Sequence, residues 1–121
     1  MISVISQTRS RTVEPGITIF TISGRLSLGY SLQSIETAIE KLINGGVRKL
    51  VIDLAELAYI DSAGIGMLVG CNGLMEQAGG TLRVSGAQGL VAKSFAVVHV
   101  DRILTVDPDL DSSTRSLAAG A

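Results

Sequence analysis

The sequence predicts an α/β domain with a mostly parallel sheet of about five strands, an antiparallel strand at one edge and about four helices. Residues 49–54 form a nearly uninterrupted apolar run, which is typical of a strand covered on both faces. Strand-like segments alternate along the chain with helical segments of about 11–17 residues, as right-handed β-α-β crossovers require. The 121 residues are 46% hydrophobic but only 3% aromatic, so aliphatic side chains must fill the core of one domain spanning residues 1–121.

The first half of the chain predicts a hairpin followed by a helix. Residues 2–9 are short, partly alternating and β-branched, which favours an edge strand. A turn at residues 14–16 (Glu-Pro-Gly) leads into the alternating strand 17–22, which we expect to pair with the first strand in antiparallel fashion. The apolar spacing then changes to steps of four and three, which predicts an amphipathic helix from residue 28 to the Asn-Gly-Gly at 44–46. Its apolar stripe is Leu28, Leu32, Ile35, Ile39 and Leu42.

The second half alternates strands and helices. In order, we expect a strand at 49–54, a helix at 62–78, a strand at 81–85, a helix from 88 to about 98, a strand at 103–106 and a weak terminal helix beginning at 107–109. Val91, Phe95 and Val98 are expected on one side of the third helix.

Charge and hydropathy exclude several classes of protein. A net charge of −1 and a pI near 5.7 argue against nucleic-acid binding, which normally demands a basic face. The cations are dispersed, so we expect no polybasic membrane patch, and no stretch approaches the roughly 18–20 apolar residues of a spanning helix. Residues 1–4 also lack the features of a secretory signal. We therefore expect a soluble cytoplasmic protein without direct membrane insertion.

Ser62 is the most informative candidate residue. Asp and Ser are preferred helix caps, and the local pattern alone favours Ser62 as a cap of the second helix. Its hydroxyl would then lie at the positive end of a helix, where an added phosphate is favoured. Gly64 and Gly66 leave little bulk around it. The helix is also apolar nearly all round at Ile65, Met67, Leu68, Val69 and Cys71, which either a docking surface or burial in a three-layer fold explains.

These residues resemble a known family. The strand 50–54, a six-residue connection and the run Asp-Ser-Ala-Gly-Ile-Gly at 61–66 closely resemble the signature of STAS domains, the anti-sigma-factor antagonists. Residues 22–26 are similar to the family's strand-end motif before its first helix, and residues 101–104 are similar to its approach to the last strand.

The resemblance implies a bacterial, non-catalytic switch in transcription regulation. In the family, the serine of the motif is phosphorylated by an anti-sigma factor that is also a serine kinase. The unphosphorylated form binds that kinase and so releases a sigma factor, and a PP2C-type phosphatase restores it. Carried over, Ser62 is the phosphorylation site and Asp61 its acidic neighbour; no cofactor or metal is expected. The expected partner-binding residues are Arg25, Ser27, Tyr30, Asp61, Ser62, Gly64, Ile65 and Met67.

Two positions depart from the family's pattern. Ser27 stands where the family often has Asp, which affects the polar contacts expected from that loop. Ala63 stands where many relatives have a second hydroxyl residue, so Ser62 is the only hydroxyl in the motif.

An enzyme is the main rival class, and the sequence disfavours it. His99 is the only histidine, and we expect it to be structural. Cys71 is expected to be a small buried side chain rather than a reactive thiol. We expect Asp53 and Glu56 to lie in a solvated loop rather than to act as general acid–base catalysts. No set of nucleophile, base and orienting group follows from these residues.

Three other readings of the chain have specific requirements. A phospho-aspartate receiver would need clustered acidic residues after its first parallel strand, where Ser23, Gly24 and Arg25 stand instead. Nucleotide binding would require a glycine-rich phosphate loop, but the glycines at 64–66 and 86–89 complete neither a P-loop nor a Rossmann fingerprint. Within the binding-module class, the alternative is a non-phosphorylated interaction subunit of a transporter or a stress-signalling complex.

Overall fold

A six-stranded sheet organises the computed structural model, which describes residues 7–120 and, at Tyr30, only the backbone. The strands are β1 (Gln7–Val13), β2 (Ile17–Leu26), β3 (Lys49–Asp53), β4 (Leu57–Ile60), β5 (Thr81–Ser85) and β6 (Val106–Asp107). The helices are α1 (Tyr30–Asn44), α2 (Ser62–Gln77), α3 (Gly89–Val97) and α4 (Leu110–Ala118), with a 3₁₀ turn at Val100–Arg102.

The sheet is parallel except at one edge. Its order is β1-β2-β3-β5-β6, and among the strands within residues 7–120 only β1 pairs in antiparallel fashion, with β2. β4 lies off this path and pairs in parallel with the last residues of β2. The predicted fold class, mostly parallel with an antiparallel edge strand and four helices, is confirmed.

Helices cover both faces of the sheet. The larger core cluster joins the sheet to α1, α2 and α3, with Ile22, Ile52 and Leu68 fully buried. A smaller cluster on the other face packs Ile19 and Val51 against Leu117 of α4. This three-layer burial explains why α2 is apolar nearly all round, because the buried Leu68 and Cys71 are flanked by the half-buried Ile65 and Val69.

The strands of the first half differ from the predicted ones in extent. β1 occupies residues 7–13 rather than 2–9, and residues 2–6 of the predicted strand lie outside the described residues. β1 is polar and exposed on both faces, so its strand geometry comes from hydrogen bonding to β2 rather than from an apolar pattern. β2 continues to Leu26 because β4, which we had predicted to be part of a connection, pairs with its last residues.

Three other details of the predicted helices and strands were wrong. α1 begins at Tyr30, which leaves Leu28 outside the helix and 82% exposed. Val98 follows α3 and is half exposed, unlike the buried Val91 and Phe95. The last strand is shifted from 103–106 to Val106–Asp107, because the chain forms a turn and a bend at residues 103 and 104 after the 3₁₀ turn. The start of the terminal helix agrees with the prediction, because Asp109 is its cap and accepts from Ser112 N.

A polar row crosses the carboxyl ends of the parallel strands. Thr21, Asp53, Ser85 and Asp107 are register partners on adjacent strands. Asp53 was predicted to be solvated, but it is only 8% exposed and accepts hydrogen bonds from Thr21 Oγ1 and Ala55 N. Asp107 accepts from Arg83 Nε at 2.8 Å and from Ser113 Oγ at 2.6 Å, which ties β6 to β5 and α4.

The start of α2 packs directly on the end of β2. A Cβ at Gly64 would lie 2.3 Å from the Leu26 carbonyl oxygen and 2.8 Å from Ile60 Cγ1. A Cβ at Gly66, one half-turn further along, would meet no atom within 4 Å. Gly64 therefore sets how closely the helix start approaches the β2 and β4 ends, whereas Gly66 has no such role.

The two glycines predict opposite effects of the same substitution. Gly64→Ala should lower the free energy of unfolding by about 1–3 kcal/mol, because the added methyl group overlaps a backbone carbonyl. Gly66→Ala, the matched control, should raise it by about 0.5–1 kcal/mol, because alanine favours the helix and the site is open. Urea denaturation measures both values, and an unchanged stability of Gly64→Ala would contradict the packing described.

The Asp107 cluster predicts an acid-sensitive contribution to stability. The hydrogen bond from Arg83 lowers the pKa of Asp107 below its ordinary value of 3.8, burial opposes this, and Ser113 adds to the lowering. A folded-state pKa below the unfolded one gives stability that is present above the unfolded value and lost as the pH falls through the folded value. Asp107→Asn should cost about 2–4 kcal/mol at pH 7. It should also flatten the decline of stability between about pH 5 and pH 2.

The control for Asp107→Asn is Asp111→Asn, which removes an exposed ion pair to Arg115 on the same helix. That change should alter the unfolding free energy by no more than about 0.5 kcal/mol. Equal losses in the two variants, measured by denaturation from pH 7 to pH 2, would count against the buried cluster.

Candidate protein-binding site

Asp61 connects the start of α2 to the loop between β2 and α1. Its Oδ1 accepts from Gly64 N at 2.9 Å, which caps the helix, and its Oδ2 accepts from Leu28 N at 2.9 Å. Its own backbone N–H donates to the Leu26 carbonyl at 3.2 Å. One side chain thus holds together two segments that are more than 30 residues apart in sequence.

The capping residue is Asp61, and the prediction that Ser62 caps the helix was wrong. Asp61 has the extended backbone of a cap (φ −112°, ψ −178°), because it directly follows β4, and Ser62 is already the first helical residue. Ser62 is exposed, and within residues 7–120 its hydroxyl makes no hydrogen bond. The serine is therefore accessible for modification.

The charge beside Ser62 is a stable carboxylate. Burial alone would raise the pKa of Asp61, but backbone N–H groups of Leu28, Gly64 and Ala63 outweigh it and lower the pKa below its ordinary value. Asp61 is thus ionised at neutral pH, and both its oxygens are engaged. It is poorly suited to act as a general base for Ser62, so a base for reaction at the hydroxyl would have to come from a partner.

An open, mainly apolar groove of about 300 Å³ lies between the start of α2 and α3. Its α2 side is lined by Ile60, Asp61, Ser62 and Ile65, and its α3 side by Leu90, Lys93, Ser94, Val97 and Val98. Leu90 is 60% and Val97 79% exposed, and because both line the same groove they form a continuous apolar patch rather than isolated exposed side chains. Exposed apolar surface next to an accessible serine is suited to binding another protein.

Sequence reasoning missed the α3 side of this groove. The signal was present, because α3 carries large apolar side chains away from the buried positions Val91 and Phe95. Leu90, Ser94 and Val97 follow the three- and four-residue spacing of a single helix face, and this face is turned toward Ser62 rather than toward the core.

The other predicted partner-binding residues lie at different depths around Asp61. Ser27 is half-buried in the loop that Asp61 holds, and Tyr30 begins α1, with its side chain outside the described part of the structure. The Arg25 guanidinium lies 4.5 Å from the ring centroid of Tyr59, a cation–π contact between β2 and β4. Met67 and Gly64 are buried, so they support the surface from beneath.

The remaining candidate groups differ in burial and in their contacts. Cys71 is buried, and burial, together with the charges of Glu36 and Glu40, raises its pKa to about 12. His99 is exposed at a left-handed turn position (φ 54°) after α3, not in the core. Glu56 lies at the surface and pairs with Arg9. Residues 7–120 contain no cluster of three or more acidic, His or Cys side chains that could hold a metal ion.

In the described residues, no helix is both long and apolar enough to cross a membrane.

Comparison with known proteins places this geometry in a family. The family model of the STAS domain matches residues 9–113 of this chain. An anti-sigma factor antagonist from Mycobacterium paratuberculosis is similar in structure, with a TM-score of 0.82 over 95% of this chain and 96% of that chain at 18% identity. SpoIIAA, an anti-sigma factor antagonist in its unphosphorylated form, gives a TM-score of 0.75 over 95% and 98% of the two chains at 17% identity.

A third similar structure has a different description. It is a sulfate transporter family protein from Wolinella succinogenes, with a TM-score of 0.70 over 92% of this chain and 93% of that chain at 15% identity. At these identities the structural likeness establishes a shared fold. Because the family model covers most of the 121 residues, including the whole segment from β2 to α3, the chain belongs to the STAS domain family.

Proposed function

We propose that this protein is an anti-sigma factor antagonist controlled by phosphorylation of Ser62. In its unphosphorylated form it binds an anti-sigma factor that is also a serine kinase, and a sigma factor is thereby released. Phosphorylation ends this binding, and a PP2C-type phosphatase restores it. The protein then acts by binding rather than by catalysis, in the cytoplasm of a bacterial cell.

The observation that carries the proposal is the accessible Ser62 hydroxyl beside an exposed apolar groove. Asp61 performs the capping, so the serine is exposed without a hydrogen bond among the described residues. The family match and the two similar structures described as anti-sigma factor antagonists support the same proposal. SpoIIAA, one of these two, has been described in an unphosphorylated and in a phosphorylated form.

The phosphorylation step transfers the γ-phosphoryl group of the kinase's ATP to Ser62 Oγ. The P–O bond to ADP breaks, a bond from phosphorus to Oγ forms, and the hydroxyl proton passes to a base on the kinase. The product adds about −1.5 to −2 charges beside the ionised Asp61. A partner seated over Ser62 would then face a concentrated negative charge in place of a small neutral hydroxyl group.

The surface offered to the partner has a defined composition. Ser62 and the half-buried Ile65 form one wall of the groove, and Leu90 and Val97 form the other. The exposed Leu28 adds apolar surface to the loop that Asp61 holds. We expect the apolar side chains to supply most of the affinity and Ser62 to control it.

A second candidate function is supported by the similarity to a transporter family protein. In that reading the chain is a non-phosphorylated interaction subunit of a transporter or a stress-signalling complex. Phosphopeptide mapping of protein purified from its native cells distinguishes the two. Modification at Ser62 supports the kinase partner, whereas an unmodified Ser62 with a co-purifying transporter subunit supports the second function.

Substitutions of Ser62 should separate charge from shape. In pull-downs from native lysate, Ser62→Ala should retain the kinase partner, because the hydroxyl is small and the apolar groove is unchanged. Ser62→Asp should weaken binding by about tenfold or more, the effect of roughly 1.4 kcal/mol of repulsion and desolvation.

The matched control is Ser34→Asp, which adds the same charge at an exposed position of α1 away from the groove. This variant should bind like the wild type. Equal partner affinities of Ser62→Ala and Ser62→Asp would rule out the proposed switch.

Truncation of an apolar side chain on the α3 side of the groove should weaken binding of the partner without unfolding the protein. Leu90→Ala should lower partner affinity by about tenfold, because an exposed leucine at an interface loses its contact area. Ile103→Ala, at a comparably exposed position outside the groove, should leave the affinity unchanged. Calorimetric titration with the purified partner measures both, and wild-type affinity of Leu90→Ala would exclude the groove from the interface.

A further inference from the structure

The groove beside Ser62 contains one cation, Lys93, in the middle of an apolar helix face. Leu90 lies three residues before Lys93 and Val97 four residues after it, so the three side chains share a face of α3. A charge in this position lowers the apolar character of a surface otherwise suited to docking. The position of Lys93 therefore indicates a function other than apolar contact with the partner.

Lys93 has no charge partner in the described structure. Its ammonium group forms no ion pair or side-chain hydrogen bond within residues 7–120. The other titratable residue that lines the groove is Asp61, whose two oxygens accept from Leu28 N and Gly64 N. Asp61 is thus held by the backbone, and Lys93 remains available for a second anion.

Ser62 is where such an anion would appear. Ser62 and Lys93 line the same groove from α2 and α3 respectively, and the flexible four-carbon stem of lysine lets the ammonium move across it. Both side chains are exposed, so a pair between them has the modest strength of a surface ion pair. A phosphate beside the Asp61 carboxylate would also be repelled from that side and drawn toward the cation.

We propose that Lys93 pairs with the phosphate on Ser62 and closes the groove between α2 and α3. The inference rests on the proposed function, since it concerns the phosphorylated state of that same site. In this ion pair the aliphatic part of the Lys93 side chain would cover the apolar surface between Leu90 and Val97 that the partner uses. Phosphorylation then removes the docking surface as well as adding repulsive charge.

The test is a phosphorus NMR titration of protein that carries phosphoserine at position 62, inserted during synthesis so that no kinase is needed. A nearby ammonium stabilises the dianion, so the second phosphate pKa should be lower in the wild type than in Lys93→Gln by about half a unit. Lys93→Arg should keep the wild-type value. Lys41→Gln, which removes an exposed lysine near the far end of α1, should also keep it.

The outcomes are decisive in both directions. A phosphate that titrates identically in the wild type and in Lys93→Gln overturns the pairing, as does a shift of equal size in Lys41→Gln. Because the phosphoserine is inserted chemically, the result does not depend on a kinase. An unmodified Ser62 in native cells would refute the proposed function, whereas an unchanged titration would refute only the role of Lys93.

Discussion

The carboxylate of Asp61 is the constraint on which the site depends. Its two oxygens accept from the backbone of α2 and from that of the loop before α1, and its N–H bonds to the end of β2. These contacts fix the direction in which α2 leaves the sheet and hold Leu28 beside it. Gly64 completes the arrangement, because only a residue without a side chain allows the helix start to approach the Leu26 carbonyl so closely.

This arrangement divides two tasks between neighbouring residues. Asp61 satisfies the helix terminus, and Ser62 is left exposed with a hydroxyl group that has no structural task in the described structure. Because the Ser62 hydroxyl makes no hydrogen bond within residues 7–120, a modification there breaks no hydrogen bond of the described structure. With Asp61 as the cap, the proposed phosphorylation of Ser62 would leave the helix cap in place and would change mainly the charge and the shape of the surface.

The sequence by itself determined the fold class and the family to which the chain belongs. Period-two and continuous apolar runs predicted the strands around residues 17–22, 49–54 and 81–85, because the burial of these strands is encoded in their own side chains. The start of α2 and the family signature at residues 61–66 followed in the same way from local pattern. Signals of this kind are visible in sequence because each depends on residues that are close along the chain.

The tertiary structure decided what depends on distant pairing. β4 is a strand because the extended end of β2 pairs with it, and Asp61 rather than Ser62 is the cap because β4 ends immediately before it. The second wall of the groove comes from α3, about 30 residues beyond Ser62, and only packing brings Leu90 and Lys93 to face it. The local sequence shows which residue types each segment contains. Which segments pack together depends on parts of the chain that are far apart in sequence, and a local periodicity does not show it.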